Sequence, residues 1–239
     1  MWQTCSSCFK KHKMNTVDIN TYEEIIEYIL KNMQDDLGYV NPLNIDWKKF
    51  VLLSNTVHDS FIIPSTTITP IMRRFLFALG EFFNPKNIAG AGTYVGYGII
   101  WLLGLPKDSR RKLKNLTCWD VDAEANLIAE KNLFLHNGIT KKIITENAIS
   151  GLLSQYAKLD LLYIDIDSPD HGKRNYIDVL KAAIPNLNQG SIIMAHDPCV
   201  KKFDNDFKLY HSFIESSGLF SNHWIFPIDY CGVSITIKK

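Results

Sequence analysis

The sequence predicts an α/β protein with a mainly parallel sheet covered by helices on both faces, and three observations carry that prediction. From residue 87 onward, short apolar runs of strand length alternate with stretches of helical periodicity. Four of the runs end in glycine or in acidic and imidazole groups, at Gly90–Gly92, Asp120, Asp165 and His196-Asp197. A glycine-rich turn, Gly92-Thr93-Tyr94-Val95-Gly96-Tyr97-Gly98, joins the first run to an apolar helix. Glycine there permits positive φ and close backbone approach to a ligand. In an open α/β sheet such turns lie at the carboxyl ends of the strands, where ligands bind.

The elements follow in order. Thr21-Tyr22-Glu23-Glu24 reads as a capping box, and Ile25, Ile26, Tyr28, Ile29 and Met33 then recur at helical spacing. Asp46 is placed to cap a second helix from Trp47 to Val57, followed by a loop from His58 to Ser65. Thr69 caps a third, with Pro70 in its first turn and Ile71 to Phe83 carrying it on. Strands are expected at 87–91, 115–120, 141–146, 159–165 and 190–195, and helices near 96–104, 122–137, 148–157, 173–187 and 203–217. A hairpin at 221–227 and 231–238 closes the chain, and Gly138 is expected in a left-handed cap after the second core helix. Residues 1–65 form a helical extension, a lid or dimer arm, and 66–239 the ligand-binding domain. The first 16 or so residues are expected to be loosely held.

Composition narrows the function. A chain of 239 residues, 46% hydrophobic and 21% charged, suits one globular α/β domain with an extension. A net charge of +1 gives no general attraction to nucleic acid or to anionic membrane, and Lys10-Lys11-His12-Lys13 is too short a basic run to change that. No apolar run reaches the ~20 residues that span a bilayer. The polar, basic stretch from Met1 to Asn15 has no apolar signal core. Cys5 and Cys8 are spaced Cys-x-x-Cys but lack a second pair, so free thiols in a reducing cytoplasm are the expectation. Cys118, Cys199 and Cys231 fall in or beside strands, where thiols pack as small hydrophobes.

The acidic residues after the strands point to a nucleotide-like cofactor. Asp120, 24 residues beyond Gly96, stands where a carboxylate accepts both hydroxyls of a ribose, while Asp122 suits a helix cap. Asp165-Ile166-Asp167 is followed by Ser168-Pro169-Asp170-His171, and Ala195 by His196-Asp197. Parallel neighbours would bring these tips to one edge.

This series resembles the class I S-adenosylmethionine-dependent O-methyltransferases, especially the metal-dependent group that includes the catechol and caffeoyl-CoA enzymes. The resemblance runs over about residues 66–239 and rests on four motifs in order. These are Ala89 to Gly98, Asp165-Ile166-Asp167 followed by Tyr176, Ile184 to Gly190 with Ala195-His196-Asp197, and Phe226-Pro227-Ile228-Asp229-Tyr230-Cys231-Gly232. It implies a Rossmann-like class I methyltransferase fold, with a seven-stranded, mainly parallel sheet and an antiparallel carboxy-terminal hairpin. It also implies S-adenosylmethionine held by Gly90, Gly92, Thr93, Tyr94, Gly96, Asp120, Val121, Asn147, Ala148 and Asp165, with Asn147 doubling as a helix cap.

A divalent ion, magnesium or a transition ion such as manganese or iron, is implied at Asp165, His196 and Asp197, where it would lower the pKa of an acceptor hydroxyl. The alternative is that the two carboxylates are strand-end groups with His196 bonded between them. The group's lysine base aligns with His171 or Lys173 across an insertion at residues 168–172, and histidine suits proton abstraction near neutrality. Two departures stand out: Gly90 replaces the acid that opens the first motif, and His196-Asp197 replaces the usual Asp-Asn pair. The expected activity is methyl transfer to a hydroxyl of a small molecule, in a homodimer. Aminocarboxypropyl transfer or cyclisation of the cofactor, and a non-catalytic binding module, remain the alternatives.

Overall fold

Seven strands form one sheet: β1 Asn87–Ala91, β2 Asn115–Asp120, β3 Thr140–Thr145, β4 Leu159–Ile164, β5 Leu187–His196, β6 Phe220–Phe226 and β7 Val233–Lys238. In this computed structural model, which describes residues 21–39, 42–63, 68–155, 157–168 and 170–239, they lie in the order β3-β2-β1-β4-β5-β7-β6. The first five are parallel, and β7 runs antiparallel to both β5 and β6. The strand order reverses at β1, which pairs with β2 on one side and β4 on the other. That reversal opens a crevice at the carboxyl ends of β1 and β4, the usual ligand position in such sheets.

The register sets the site. Ala91 lies opposite Trp119 and Ile164, and Ile164 lies opposite Ala195. Gly92, Asp120, Asp165 and His196 each follow one of these paired residues, so the four tips stand level. Gly92 N–H donates to Trp119 O at 2.9 Å, and Asp165 N–H to Ala91 O at 2.8 Å, which extends the ladder to the rim.

Period-two alternation divides the strand residues between two cores. Ile88, Leu116, Cys118, Leu161, Tyr163, Ile192 and Met194 face one side. They meet helices α1 Tyr22–Asp36, α2 Trp47–Ser60, α3 Pro70–Phe83 and α4 Ile99–Leu103 there. Ala89, Ala91, Trp119, Leu162, Ile164, Ile193 and Ala195 face the other. Residues of α6 Ala148–Leu153, α7 Tyr176–Ala183 and α8 Asp204–Ser216 cover them, while α5 Ala123–Asn132 follows β2. The amino-terminal helices are part of the first core: Phe50 packs edge-on against Phe77 and tilted against Trp101, and Ile26, Leu30 and Leu53 are fully buried. Phe61–Ile63 leads toward α5, where the Asn132 amide bonds both the N–H and C=O of Ile62.

The caps form as expected. Thr21 and Glu24 make the reciprocal capping box, Asp46 accepts from Lys49 N–H, and Thr69 accepts from Met72 N–H beside Pro70. Several boundaries move. The helix expected over 122–137 ends at Asn132 and tightens into a 3-10 turn at Leu133–Leu135. Gly138 is not among the residues of positive φ, so the left-handed cap is absent; a tighter turn uses up the last carbonyls instead. The helix expected over 173–187 is confined to Tyr176–Ala183, with β5 already begun at Leu187. Among the described residues no helix is long and apolar enough to cross a membrane. The expectations for the loosely held first residues, for Cys5 and Cys8 and for Lys10-Lys11-His12-Lys13 lie outside the described residues.

Candidate active site

The glycine turn is built by its backbone. Gly92 has φ +82°, and a Cβ there would strike the carbonyl of Asp165, so only glycine lets the exits of β1 and β4 touch. Tyr94, a non-glycine residue at φ +47°, is held by its N–H donating to Asp120 Oδ2 at 2.7 Å. Asp120 Oδ1 accepts from Asp122 N–H at 3.0 Å. The Asp120 carboxylate is thus fixed by two backbone N–H groups and keeps lone pairs for a further donor. Asp122 is the cap of α5, accepting from Ala125 N–H at 3.0 Å. Asn126 ties the two strand ends together by donating to Asp120 O and Thr145 Oγ1, both at 3.0 Å. Gly96, at φ +80°, packs under Leu133.

Gly90, Gly92, Thr93, Tyr94 and Asp165 line one cavity, joined by Ile68, Tyr97, Gly98, Ile99 and Tyr163. Five of the residues singled out in the sequence are therefore brought together. Asp120, Val121, Asn147 and Ala148 lie outside the cavity, on the rim of β2 and β3. Val121 is 71% exposed, and Asn147 Oδ1 caps α6 by accepting from Ile149 N–H at 2.8 Å. The place of the missing acid at Gly90 is closely packed: a Cβ would lie 3.1 Å from Cys118 Sγ and 3.5 Å from both Ile99 Cδ1 and Thr93 Oγ1. Thr93 lines the cavity, and its hydroxyl is hydrogen-bonded with the buried Cys118 thiol. The Thr93 hydroxyl and the backbone of the glycine turn give the cavity polar groups that fit a polar ligand such as S-adenosylmethionine.

The tips of β4 and β5 hold a charged network. Lys173 Nζ lies 3.0 Å from Asp165 Oδ1 and 2.9 Å from Asp197 Oδ2, with its side chain only 2% exposed. His196 Nδ1 lies 3.4 Å from Asp165 Oδ2 and 3.1 Å from Asp197 Oδ1. Asp197 has φ +72°, a left-handed conformation that carboxylate residues tolerate better than most. Its N–H donates to Gly232 O at 3.2 Å, and Asp229 holds that turn by accepting from Cys231 and Gly232 N–H. Thr69 Oγ1 donates to Asp229 Oδ2 at 2.6 Å, which ties the start of α3 to the same rim.

The charges set one another's protonation. Burial opposes the charged forms of Asp165 and Asp197, but His196 and Lys173 outweigh it and hold both carboxyls below the usual range. Burial would lower Lys173, yet the two carboxylates raise it, so the ammonium keeps its proton. His196 is pushed up to about 10 by Asp165 and Asp197 against its own burial. Burial and the two carboxylates drive the Tyr163 phenol well up.

The structure places the two base candidates differently. Lys173 is inside the network, whereas His171 is exposed on the preceding turn, its N–H bonded to Ser168 O at 3.2 Å. Asp165, His196 and Asp197 do converge, with His196 Nδ1 within ion-pair distance of both carboxylates. The arrangement does not fit a divalent ion at those three residues, because the Lys173 ammonium fills the space between the carboxylates. The close-set donor trio, with atoms within 4.8 Å of one another, is instead His196, Asp197 and Cys231. Sequence reading missed Tyr163, Tyr97 and Cys231. Tyr163 was legible as the inward residue two before Asp165; Cys231 depends on the turn before β7.

Residues 90–198 match the family described as a methyltransferase domain. Over 179 residues, 72% of this chain and 73% of the relative, the sequence is 27% identical to a protein of Niastella koreensis named catechol O-methyltransferase. Among solved structures, an O-methyltransferase from Bacillus cereus in complex with SAH aligns over 91% of this chain and 100% of its own, with 18% identity and a TM-score of 0.60. The O-methyltransferase TomG from Streptomyces achromogenes, in complex with SAM, aligns over 92% and 100%, with 13% identity and a TM-score of 0.59. Residues 90–198 thus match a methyltransferase domain, and the level strand tips and the glycine turn belong to a fold shared with these solved methyltransferases.

Proposed function

We propose that the chain methylates a hydroxyl of a small, flat acceptor bound against the cavity between β1 and β4. One observation carries this reading: the glycine turn and the Asp165 carboxylate line the same cavity. Bound S-adenosylmethionine supplies an electrophilic methyl group on a sulfonium sulfur. The turn at Gly92–Tyr94 and the Thr93 hydroxyl hold its amino acid end, Asp120 its ribose hydroxyls, and the rim at Val121, Asn147 and Ala148 its adenine. Ile68, Tyr97 and Tyr163 give the cavity an apolar wall that excludes water.

Asp165 accepts a hydrogen bond from the acceptor hydroxyl and so aims the oxygen lone pair at the methyl. Lys173 keeps that carboxylate ionised. Proton loss is easy once the C–O bond forms, because the oxygen then carries positive charge, so a weakly basic carboxylate suffices. Neither His171, which is exposed, nor Lys173, which keeps its proton, is needed as the base. The curated relative's name makes a vicinal diphenol the first acceptor to try.

The test is to incubate the protein with S-adenosylmethionine and a panel of catechols and other phenols, then identify the sulfur product by mass spectrometry. S-adenosylhomocysteine with an O-methylated acceptor is the expected pair. Methylthioadenosine would instead mark aminocarboxypropyl transfer or cyclisation, and no turnover with no cofactor binding would mark a binding module.

A further inference from the structure

We propose that Lys173 is a resident cation standing where a divalent ion would otherwise bridge the β4 and β5 carboxylates, and that this enzyme works without a metal. The placement of Lys173 is built, not incidental. After β4 the chain makes a short excursion in which Ser168 and Gly172 pair, with Gly172 N–H donating to Ser168 O at 2.8 Å. Gly172 takes φ +54°, and a Cβ on it would lie 3.0 Å from Asp206 Oδ2 and 3.3 Å from the Phe203 ring. That same Asp206 oxygen accepts from Lys173 N–H at 3.1 Å. The rings of Tyr176 and Phe203 flank the ammonium at 5.3 and 5.4 Å, the range of cation–π attraction. The backbone, two aromatic faces and two carboxylates thus all direct one amine into one place.

Charge and space then exclude a dication. Asp165 and Asp197 bring two negative charges, and Lys173 already returns one positive charge to the gap between them. Adding a dication would leave a net positive charge in a buried site even with His196 neutral, and burying unbalanced charge is costly. A hard dication bridging the two carboxylates would need oxygens at roughly 2–2.5 Å, and the Lys173 ammonium, 3.0 and 2.9 Å from them, occupies that place. The neighbouring trio of His196, Asp197 and Cys231 shares with Lys173 the Asp197 carboxylate, whose charge the ammonium already balances. Lys173 does not line the cavity; it is a positioning residue that acts through Asp165.

Manganese chloride is the probe. The chelator-treated full chain is titrated and free Mn²⁺ is followed by electron paramagnetic resonance, a readout independent of methyl transfer. The expected result is no site in the wild type, a new site of roughly one ion per chain in Lys173→Met, and none in Lys173→Arg. In parallel, chelation should leave methyl transfer unchanged. A saturable site of roughly one ion per chain in the wild type overturns the proposal. So does a folded Lys173→Met that binds no manganese, because the lysine would then not be what fills the site. If Lys173→Met does not fold, the wild-type titration decides alone. The proposal rests on the methyl-transfer reading only through the activity arm. Failure of that reading shows as no S-adenosylhomocysteine under any condition, whereas failure of this proposal shows as manganese binding.

Discussion

At the tips of β1 and β2 the binding surface is made of backbone: a glycine at φ +82°, a Tyr94 N–H and an Asp122 N–H that together fix one carboxylate. At the tips of β4 and β5 it is made of four ionisable side chains, Asp165, Lys173, His196 and Asp197, that fix one another. The two halves meet where Gly92 packs on Asp165. The difference shows where each half is sensitive. A backbone-built surface tolerates most side-chain changes outside its glycines. A charge-built surface fails when any one member is removed, because the others are left buried and unbalanced.

The largest effect is therefore expected on the charged half. Lys173→Met should destabilise the fold by about 3–5 kcal/mol, the usual cost of stranding a buried charge partner. Denaturant unfolding measures it, and manganese should restore part of the loss. A change within the scatter of surface substitutions would mean that the network is dispensable and the comparison false.

On the backbone-built half, Asp120→Ala should weaken S-adenosylmethionine binding by about 1.5–3 kcal/mol, the scale of hydrogen bonds to a charged group. Calorimetry reads the affinity directly. Unchanged affinity would remove Asp120 from the ribose, and a loss matched by unfolding would make it only a holder of the Tyr94 turn.

Changing pH tests both ends of the stability range. His196 is raised to about 10 from an ordinary 6.5, so its contribution is complete below about pH 6.5 and is lost as pH rises through 10. Buried His136, His211 and His223 behave oppositely, with values pushed down to about 4, 3 and 4, mainly by burial. The unfolded chain takes up protons on these three below about pH 6.5 while the folded chain does not, so stability falls from there toward pH 4. Thermal melts should peak near pH 6–7. His211→Phe should flatten the acid limb alone, since the His211 ring lies tilted against His223 at 4.8 Å and has no carboxylate in its balance. A limb of unchanged slope would show that the pair is solvated.

The smallest effect belongs to His171. Because it is exposed and outside the network, His171→Gln should leave turnover within about twofold, against the 10²–10⁴-fold loss expected for a general base. A loss of that larger size would restore His171 as the base and reposition the loop.

The sequence by itself determined the sheet and the residues at its tips. Alternating apolar runs, a capping box, Pro70 after Thr69 and a glycine turn are local signals, and local backbone preference decides them. Hence Gly92, Thr93, Tyr94, Asp120 and the α5 cap at Asp122 stand where their neighbours in sequence put them. Only the tertiary structure decided the charged half at the tips of β4 and β5. Whether His171 or Lys173 reaches the strand tips depends on how Ser168 and Gly172 pair and on Asp206, 33 residues beyond Lys173. Whether two carboxylates hold a metal or an amine depends on which cation the fold delivers between them. Those are distances between residues far apart in the chain, set by strand register and helix packing, and no spacing along the sequence encodes them.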